Sequence, residues 1–179
     1  MSEIDYKKIR LLVLDVDGVM TDGRIILSAS GEETKAFCVK DGSGMKFWKR
    51  LGGSLAIITG RESAVVSHRA AELGVDEIRQ NRKDKLPALE EVFSALGVGP
   101  EATAVVGDDL PDLPMMRRCA FSACPADAVD EVRRQADFVC QAVGGRGVVR
   151  EVVEHILKRA GTWSKVMERY RPNGEGIHG

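Results

Sequence analysis

Apolar positions along the chain fall into short unbroken blocks separated by stretches of helical rhythm. Leu11-Leu12-Val13-Leu14 is such a block, closed by Asp15 and Gly18. A short apolar run bounded by turn residues predicts a strand buried on both faces. Leu55 to Ile58 repeats the pattern and ends at Thr59-Gly60, and Ala102 to Val106 repeats it and ends at Gly107-Asp108. Weaker runs predict strands over Val75 to Arg79, Ala120 to Ala123 and Phe138 to Cys140. Between them, Ser63 to Leu73 places Val65, Val66, Ala70 and Leu73 on one side of a helix. Leu86 to Leu96 does the same with Leu86, Leu89, Val92, Phe93 and Leu96, and Gly97 stops it. Asp127 to Gln135, Gly147 to Arg159 and a segment near Met45 to Leu51 predict further helices. Fully apolar strands alternating with helices predict an α/β fold, a doubly wound parallel sheet covered on both faces.

One segment departs from this rhythm. Arg24-Ile25-Ile26-Leu27, the polar turn Ser28-Ala29-Ser30-Gly31 and the run from Glu33 to Val39 read as a projecting β-hairpin, about 24–39. It would stand at the C-terminal edge of the sheet. Residues 1–170 are expected to form one domain, and the polar, glycine-bearing stretch 171–179 a flexible tail.

Apolar residues make up 44% of the chain and charged residues 30%, with a formal net charge of −1. That balance suits a globular protein and carries no footprint for nucleic acid or a membrane surface. No apolar run approaches the roughly 20 residues that span a bilayer. The four cysteines, Cys38, Cys119, Cys124 and Cys140, form no C-x-x-C pair. With no signal-peptide pattern, free thiols in the cytoplasm are expected.

The polar ends of the strands carry the chemistry. In an open α/β sheet, ligands bind beyond the carboxyl ends of the strands. Asp15-Val16-Asp17-Gly18, Thr59-Gly60-Arg61 and Gly107-Asp108-Asp109 would therefore meet in one crevice, with Lys85 at the start of a neighbouring helix. Clustered carboxylates repel, and a hard divalent cation resolves the repulsion. Asp15, Asp108 and the Asp17 main-chain carbonyl are the expected Mg2+ ligands, with Asp109 and Asp112 supporting them from behind. Asp15 is then a candidate nucleophile towards phosphorus, and Asp17 a candidate acid and base. Thr59 and Lys85 would hold phosphate oxygens. Each motif alone also fits a plain structural role, such as an aspartate capping a helix. Their joint order at successive strand ends is what points to phosphomonoester hydrolysis.

The same order, Asp15-Val16-Asp17-Gly18-Val19, Ile58-Thr59-Gly60-Arg61, Lys85 and Gly107-Asp108-Asp109-Leu110-Pro111-Asp112, resembles the haloacid dehalogenase superfamily of phosphatases. Group-level stretches add detail: Asp22-Gly23, Gly31-Glu32-Glu33, Lys40-Asp41-Gly42, Arg61-Glu62-Ser63, Arg69, Leu73-Gly74, Gly144-Gly145-Arg146-Gly147 and Arg150-Glu151. They make the chain similar to the 3-deoxy-D-manno-octulosonate 8-phosphate phosphatase group, from about Arg10 to Ile156.

The resemblance implies a Rossmann-like fold without a large cap domain and a homotetramer in which hairpins pack together. It implies a phosphorylated sugar acid as substrate and a place in lipopolysaccharide precursor synthesis. It assigns substrate contacts to Asp17, Cys38, Val39, Lys40, Asp41, Gly42, Lys46, Thr59, Gly60, Arg61, Arg69 and Lys85. It also places the turn Gly144 to Gly147 near the active site. Arg69 and Lys46 read equally as solvated helix surface. The sequence departs from the group at Cys38 (usually Asn), at Lys40 and Lys46 (usually Arg) and at Asn81 (usually Gly). Arginine and lysine differ wherever a carboxylate is held bidentately. The alternative substrate is therefore a nonulosonate 9-phosphate of the sialic acid type. Rivals outside the enzyme class are a phospho-accepting receiver domain and a non-catalytic subunit. In receiver domains, however, the acidic pair and the accepting aspartate lie on different strands, whereas Asp15 and Asp17 share one strand end.

Overall fold

A computed structural model describes residues 4–171. The expected tail lies, beyond Arg171, outside the described residues.

Among the described residues, eight strands and seven helices follow in order: β1 (Leu11–Leu14), β2 (Ile26–Leu27), β3 (Glu33–Thr34), α1 (Val39–Arg50), β4 (Ser54–Ile58), α2 (Ala64–Leu73), β5 (Glu77–Arg79), α3 (Lys85–Leu96), β6 (Thr103–Val106), α4 (Leu113–Arg118), β7 (Phe121–Cys124), α5 (Asp130–Arg133), β8 (Phe138–Val139), α6 (Val148–Arg159) and α7 (Trp163–Glu168). Six strands pair in parallel in the order β5-β4-β1-β6-β7-β8. β2 and β3 form a separate antiparallel pair. The doubly wound parallel sheet is as the apolar blocks predict.

Side chains alternate across the sheet, so each unbroken apolar block feeds two cores. Leu12, Leu14, Leu55, Ile57, Ala104 and Val106 face one layer with α1, α2 and α6. Leu11, Val13, Ala56, Ile58 and Val105 face the other with α3, α4 and α5. All four residues of β1 are fully buried, as expected of a central strand. The chain runs outward from β1 to β4 and β5, then returns to β6 on the other side of β1. That reversal opens a crevice beyond the ends of β1 and β6. Register sets Leu14 beside Val106, and the Asp15 amide donates to the Val106 carbonyl at 3.0 Å.

Three boundaries differ from expectation. Helix α1 begins at Val39, not near Met45, so the stretch Cys38 to Gly42 is a helix N-terminus. Helix α5 spans only Asp130–Arg133. The hairpin ladder pairs only Ile26 with Thr34 and Leu27 with Glu33. Helix α7 has no counterpart in the expectations. Its Trp163 meets Phe47 of α1 edge-on, with ring centroids 6.2 Å apart. Among the described residues, the hairpin is the only β insertion between β1 and α1, and no large cap covers the crevice. The hairpin's first strand is apolar yet exposed, with Ile25 at 53%, Ile26 at 47% and Leu27 at 58%.

Candidate active site

Asp15 is placed by the end of β1 and is 7% exposed. After it the chain folds tightly: the amides of Val19, Met20 and Thr21 all donate to the Val16 carbonyl. Gly18 takes φ +90°, and a Cβ there would lie 2.0 Å from Asp108 Oδ2. Only glycine lets the loop approach the Asp108 carboxylate this closely. The turn at Gly144 and Gly145 backs the same loop. A Cβ on Gly144 would lie 2.1 Å from the Gly18 carbonyl oxygen, and the Gly145 amide donates to the Val19 carbonyl. The expected place of the glycine-rich turn is thus beside the crevice.

Lys85 opens α3 and is 5% exposed. Its Nζ lies 2.9 Å from Asp15 Oδ1 and 2.6 Å from Asp112 Oδ1. Asp112 Oδ2 accepts the amides of Asp108 at 3.0 Å and Asp109 at 3.2 Å. The Asp109 side chain caps the 3₁₀ turn Leu110–Asp112 by accepting from the Leu110 amide. Asp112 and Asp109 therefore hold the loop after β6 in shape. The Asp109 cap that its sequence also allows is present. Thr59, 2% exposed at the end of β4, completes the floor.

Carboxylate oxygens of Asp15, Asp108 and Asp112 lie within 4.8 Å of one another. Burial, and then the neighbouring Asp112 charge, push the Asp15 pKa up to about 6. Burial, and then the charges of Asp15 and Asp112, push Asp108 up to about 8. Burial opposes the charge on Lys85, but Asp15 and Asp112 outweigh it and raise its pKa. Asp108 Oδ1 is buried and has no hydrogen-bond partner. An orphaned carboxylate oxygen beside two more carboxylates is a hard, all-oxygen donor set, and it fits Mg2+. Asp15 and Asp108 would hold the ion with the Asp17 carbonyl, since Asp112 already accepts three hydrogen-bonding groups.

The crevice encloses about 480 Å³ and is lined by Asp15, Asp17, Thr59, Gly60, Arg61, Lys85, Asp108, Asp109 and Asp112, all expected, together with Gly23, Arg82, Lys83 and Pro111. Larger hollows of about 710 and 550 Å³ open near the starts of the strands, but neither holds any of the expected site residues. Arg82 and Lys83 lie on the loop from β5 to α3 and add cations at the mouth. Their sequence signal, two cations shortly before Lys85, is common on any surface. Lys35, Nζ 2.5 Å from Asp17 Oδ1, has no signal of its own.

The other expected substrate residues gather elsewhere. Cys38, Asp41, Gly42 and Arg69 line a small apolar hollow with Met20, Phe37, Met45 and Leu73. The Asp41 carboxylate accepts from the amides of Gly147 at 3.2 Å and Arg150 at 2.8 Å, so it caps α6. Arg69 pairs with Glu72 at 2.7 Å and lies over the Phe37 ring at 5.8 Å, and its buried Nε has no partner. Gly42 makes room for it, because a Cβ there would lie 2.5 Å from Arg69 Nη2. Val39 is 79% exposed, and Lys40 and Lys46 are exposed as well. Asn81 has φ +56°, the left-handed region that asparagine tolerates best after glycine. That accounts for asparagine where the group usually has glycine.

Comparison with known proteins matches this geometry. The family model of haloacid dehalogenase-like hydrolases matches residues 73–152. The chain is 43% identical over 155 residues to the 3-deoxy-D-manno-octulosonate 8-phosphate phosphatase of Escherichia coli K12, covering 87% of this chain and 82% of that one. It is 44% identical over 149 residues to the enzyme of that name from Yersinia pestis, covering 83% and 80%. Among solved structures it superposes on the Moraxella catarrhalis phosphatase of the same name, in complex with magnesium ion, phosphate ion and KDO. There the TM-score is 0.90 at 42% identity, covering 93% of this chain and 95% of that one. The cobalt-bound enzyme from Haemophilus influenzae superposes with a TM-score of 0.84 at 36% identity, covering 87% and 91%.

Proposed function

The chain belongs to the haloacid dehalogenase-like hydrolases and is a phosphatase, and we propose that its substrate is 3-deoxy-D-manno-octulosonate 8-phosphate. The Asp15 cluster, a buried carboxylate gripped by Lys85 and facing Asp108 across the β1–β6 crevice, carries the phosphatase chemistry, and 43% identity to the octulosonate 8-phosphate phosphatase of Escherichia coli K12 supports the substrate.

In the proposed reaction Asp15 Oδ attacks phosphorus while the ester P–O bond breaks. Asp17 gives its proton to the departing sugar oxygen, which leaves as an alcohol. Asp17, now a carboxylate, takes a proton from water, whose oxygen attacks the aspartyl phosphate. Phosphate leaves, and both aspartates return to their starting states. The Thr59 hydroxyl and Lys85 hold phosphate oxygens. Asp15, Asp108 and the Asp17 carbonyl would hold Mg2+, which would supply charge neutralisation for the phosphoryl group. Arg61, Arg82 and Lys83 at the mouth suit the carboxylate of a sugar acid.

The exposed apolar first strand of the hairpin supports the homotetramer, since burying Ile25, Ile26 and Leu27 against other hairpins removes them from water. A neighbouring subunit would then close the crevice and reach the exposed Val39, Lys40 and Lys46. A cytoplasmic site of action fits four free thiols. Among the described residues, no helix is long and apolar enough to cross a membrane.

The test is a comparison of kcat/KM with magnesium on the octulosonate 8-phosphate, a nonulosonate 9-phosphate and simple sugar phosphates. The octulosonate ester should lead by about tenfold or more, the scale of discrimination that pocket contacts give. A lead for the nine-carbon ester would transfer the assignment to it. No turnover of any ester would return the chain to the receiver or scaffold readings.

A further inference from the structure

Asp17 is anchored by a side chain that comes from the hairpin, not from the sheet. Lys35 directly follows β3, and its side chain is only 1% exposed. Its Nζ lies 2.5 Å from Asp17 Oδ1 and 3.4 Å from Glu33 Oε1. Arg61 closes the figure, with Nη2 3.1 Å from Glu33 Oε1 and Nε 3.8 Å from Asp17 Oδ2. The side chains of Lys35, Asp17, Arg61 and Glu33 thus close a ring, with the two basic and the two acidic groups alternating. The ring ties together the end of β1, the hairpin and the loop after β4.

A lysine is almost never buried to this degree unless it is paired. Fixing its long side chain also forfeits rotamer freedom. Such a residue at the lip of a crevice, rather than in either core, calls for a local reason. The two oxygens of Asp17 suggest one. Oδ1 is tied to Lys35, whereas Oδ2 faces Arg61 at a distance beyond hydrogen-bond range. Among the described residues, Oδ2 accepts no hydrogen bond. One oxygen is anchored and the other is left for the reacting groups, which is the disposition a proton-carrying carboxylate needs.

We propose that Lys35 is a positioning residue that fixes the Asp17 rotamer so that Oδ2 meets the leaving oxygen. The inference rests on the reading of Asp17 as acid and base given above. It makes the hairpin part of the catalytic apparatus of its own chain. Without Lys35, Asp17 swings towards Arg61, and the proton no longer reaches the ester oxygen as the P–O bond breaks.

The experiment compares leaving groups. An alkyl or sugar phosphate needs a proton on its leaving oxygen, whereas p-nitrophenolate leaves without one. First-turnover release of the leaving group, with magnesium, is measured for wild type, Lys35→Met and Lys35→Arg. For the sugar phosphate, Lys35→Met should slow release at least about tenfold, a part of the 10²–10⁴ that general acid catalysis supplies. Its p-nitrophenyl phosphate release should fall far less, with KM for both esters within about threefold of wild type. Lys35→Arg should recover part of the loss. Equal losses on both esters, or no loss on the sugar phosphate, would overturn the proposal. Because Lys35→Met also removes a partner of Glu33, the double variant Lys35→Met with Glu33→Gln is measured beside it and should show the same selective loss. Wild-type turnover that survives Asp15→Asn would instead refute the underlying phosphatase reading, whatever Lys35 does.

Discussion

Asp112 is the residue whose removal should test the architecture of the site most directly. It is 1% exposed, and its carboxylate accepts from Lys85 Nζ at 2.6 Å and from the amides of Asp108 and Asp109 at 3.0 and 3.2 Å. Truncation in Asp112→Ala removes all three hydrogen bonds. Each amide bond contributes about 1 kcal/mol and the charged lysine bond about 1.5–2 kcal/mol. Lys85 keeps Asp15 at 2.9 Å, so it is not left as a lone buried charge, and the larger penalty of an orphaned ion does not apply. Loss of one carboxylate also relieves the repulsion on Asp15 and Asp108, which offsets about 1 kcal/mol. The net expectation is a loss of about 2–3 kcal/mol. For a chain of 179 residues that lowers the midpoint by roughly 5–10 °C. The assay is thermal unfolding in the presence of a chelator, followed by circular dichroism, with Asp112→Asn as the isosteric control. Asn keeps the volume and one acceptor and should lose about half as much. A midpoint for Asp112→Ala within about 2 °C of wild type would refute the claim that Asp112 braces the loop.

Asp15→Asn should fold normally and abolish turnover, because an amide does not attack phosphorus; product release by that variant at wild-type rate would remove Asp15 from its role. Magnesium at about 100 times its dissociation constant should stabilise the wild type by about 2.7 kcal/mol, read as a rise in melting temperature that Asp108→Asn eliminates. An unchanged rise in Asp108→Asn would move the ion elsewhere. Arg69→Ala should raise KM for the sugar acid phosphate about tenfold, on the scale of a lost charge-assisted contact, and leave p-nitrophenyl phosphate unaffected; equal losses would make Arg69 a packing residue of the α1–α2 hollow. His155 stacks between Phe121 and Phe138, and burial, then Arg159, lower its pKa. The unfolded chain therefore takes up a proton near pH 6.5 that the folded chain resists, so stability should fall as pH drops below that point. His155→Phe should flatten this acid-side decline, and an unchanged slope would show that His155 does not titrate between the two states.

How much of this was legible before the fold depended on whether a residue's role follows from its neighbours in sequence. Strand β1 matches its apolar block residue for residue, because a central parallel strand is buried on both faces and leaves no polar position to blur its ends. The polar residues that close β1, β4 and β6 were legible for the same reason, and parallel register alone carries them to one edge. Helix α1 was not. Gly42 and Gly44 disfavour a helix by about 1 kcal/mol each, so local preference placed its start late. Tertiary packing overrides that preference: a Cβ on Gly44 would lie 2.9 Å from Arg150 Cα, so the glycine is what lets α1 approach α6. The same approach explains why Asp41 caps α6 across more than a hundred residues.

Lys35 marks the limit of such reading. Nothing in the run Glu33-Thr34-Lys35 distinguishes it from the other lysines, and its contact with Asp17 spans 18 residues of chain. The contact exists because a hairpin with only two paired positions folds back over the end of β1. So short a ladder is marginal alone, and within this chain the Lys35–Asp17–Arg61–Glu33 ring is what fastens its base to the sheet. Its first strand is apolar and exposed at Ile25, Ile26 and Leu27. In the proposed homotetramer a substitution on that strand, such as Leu27→Asp, should therefore disturb assembly first, seen as a smaller species in sedimentation. Its effect on turnover should follow only as far as assembly steadies Lys35. If Leu27→Asp dissociated the oligomer and left sugar phosphate turnover at the wild-type rate, the ring alone would suffice to hold the base, and assembly and proton transfer would be independent.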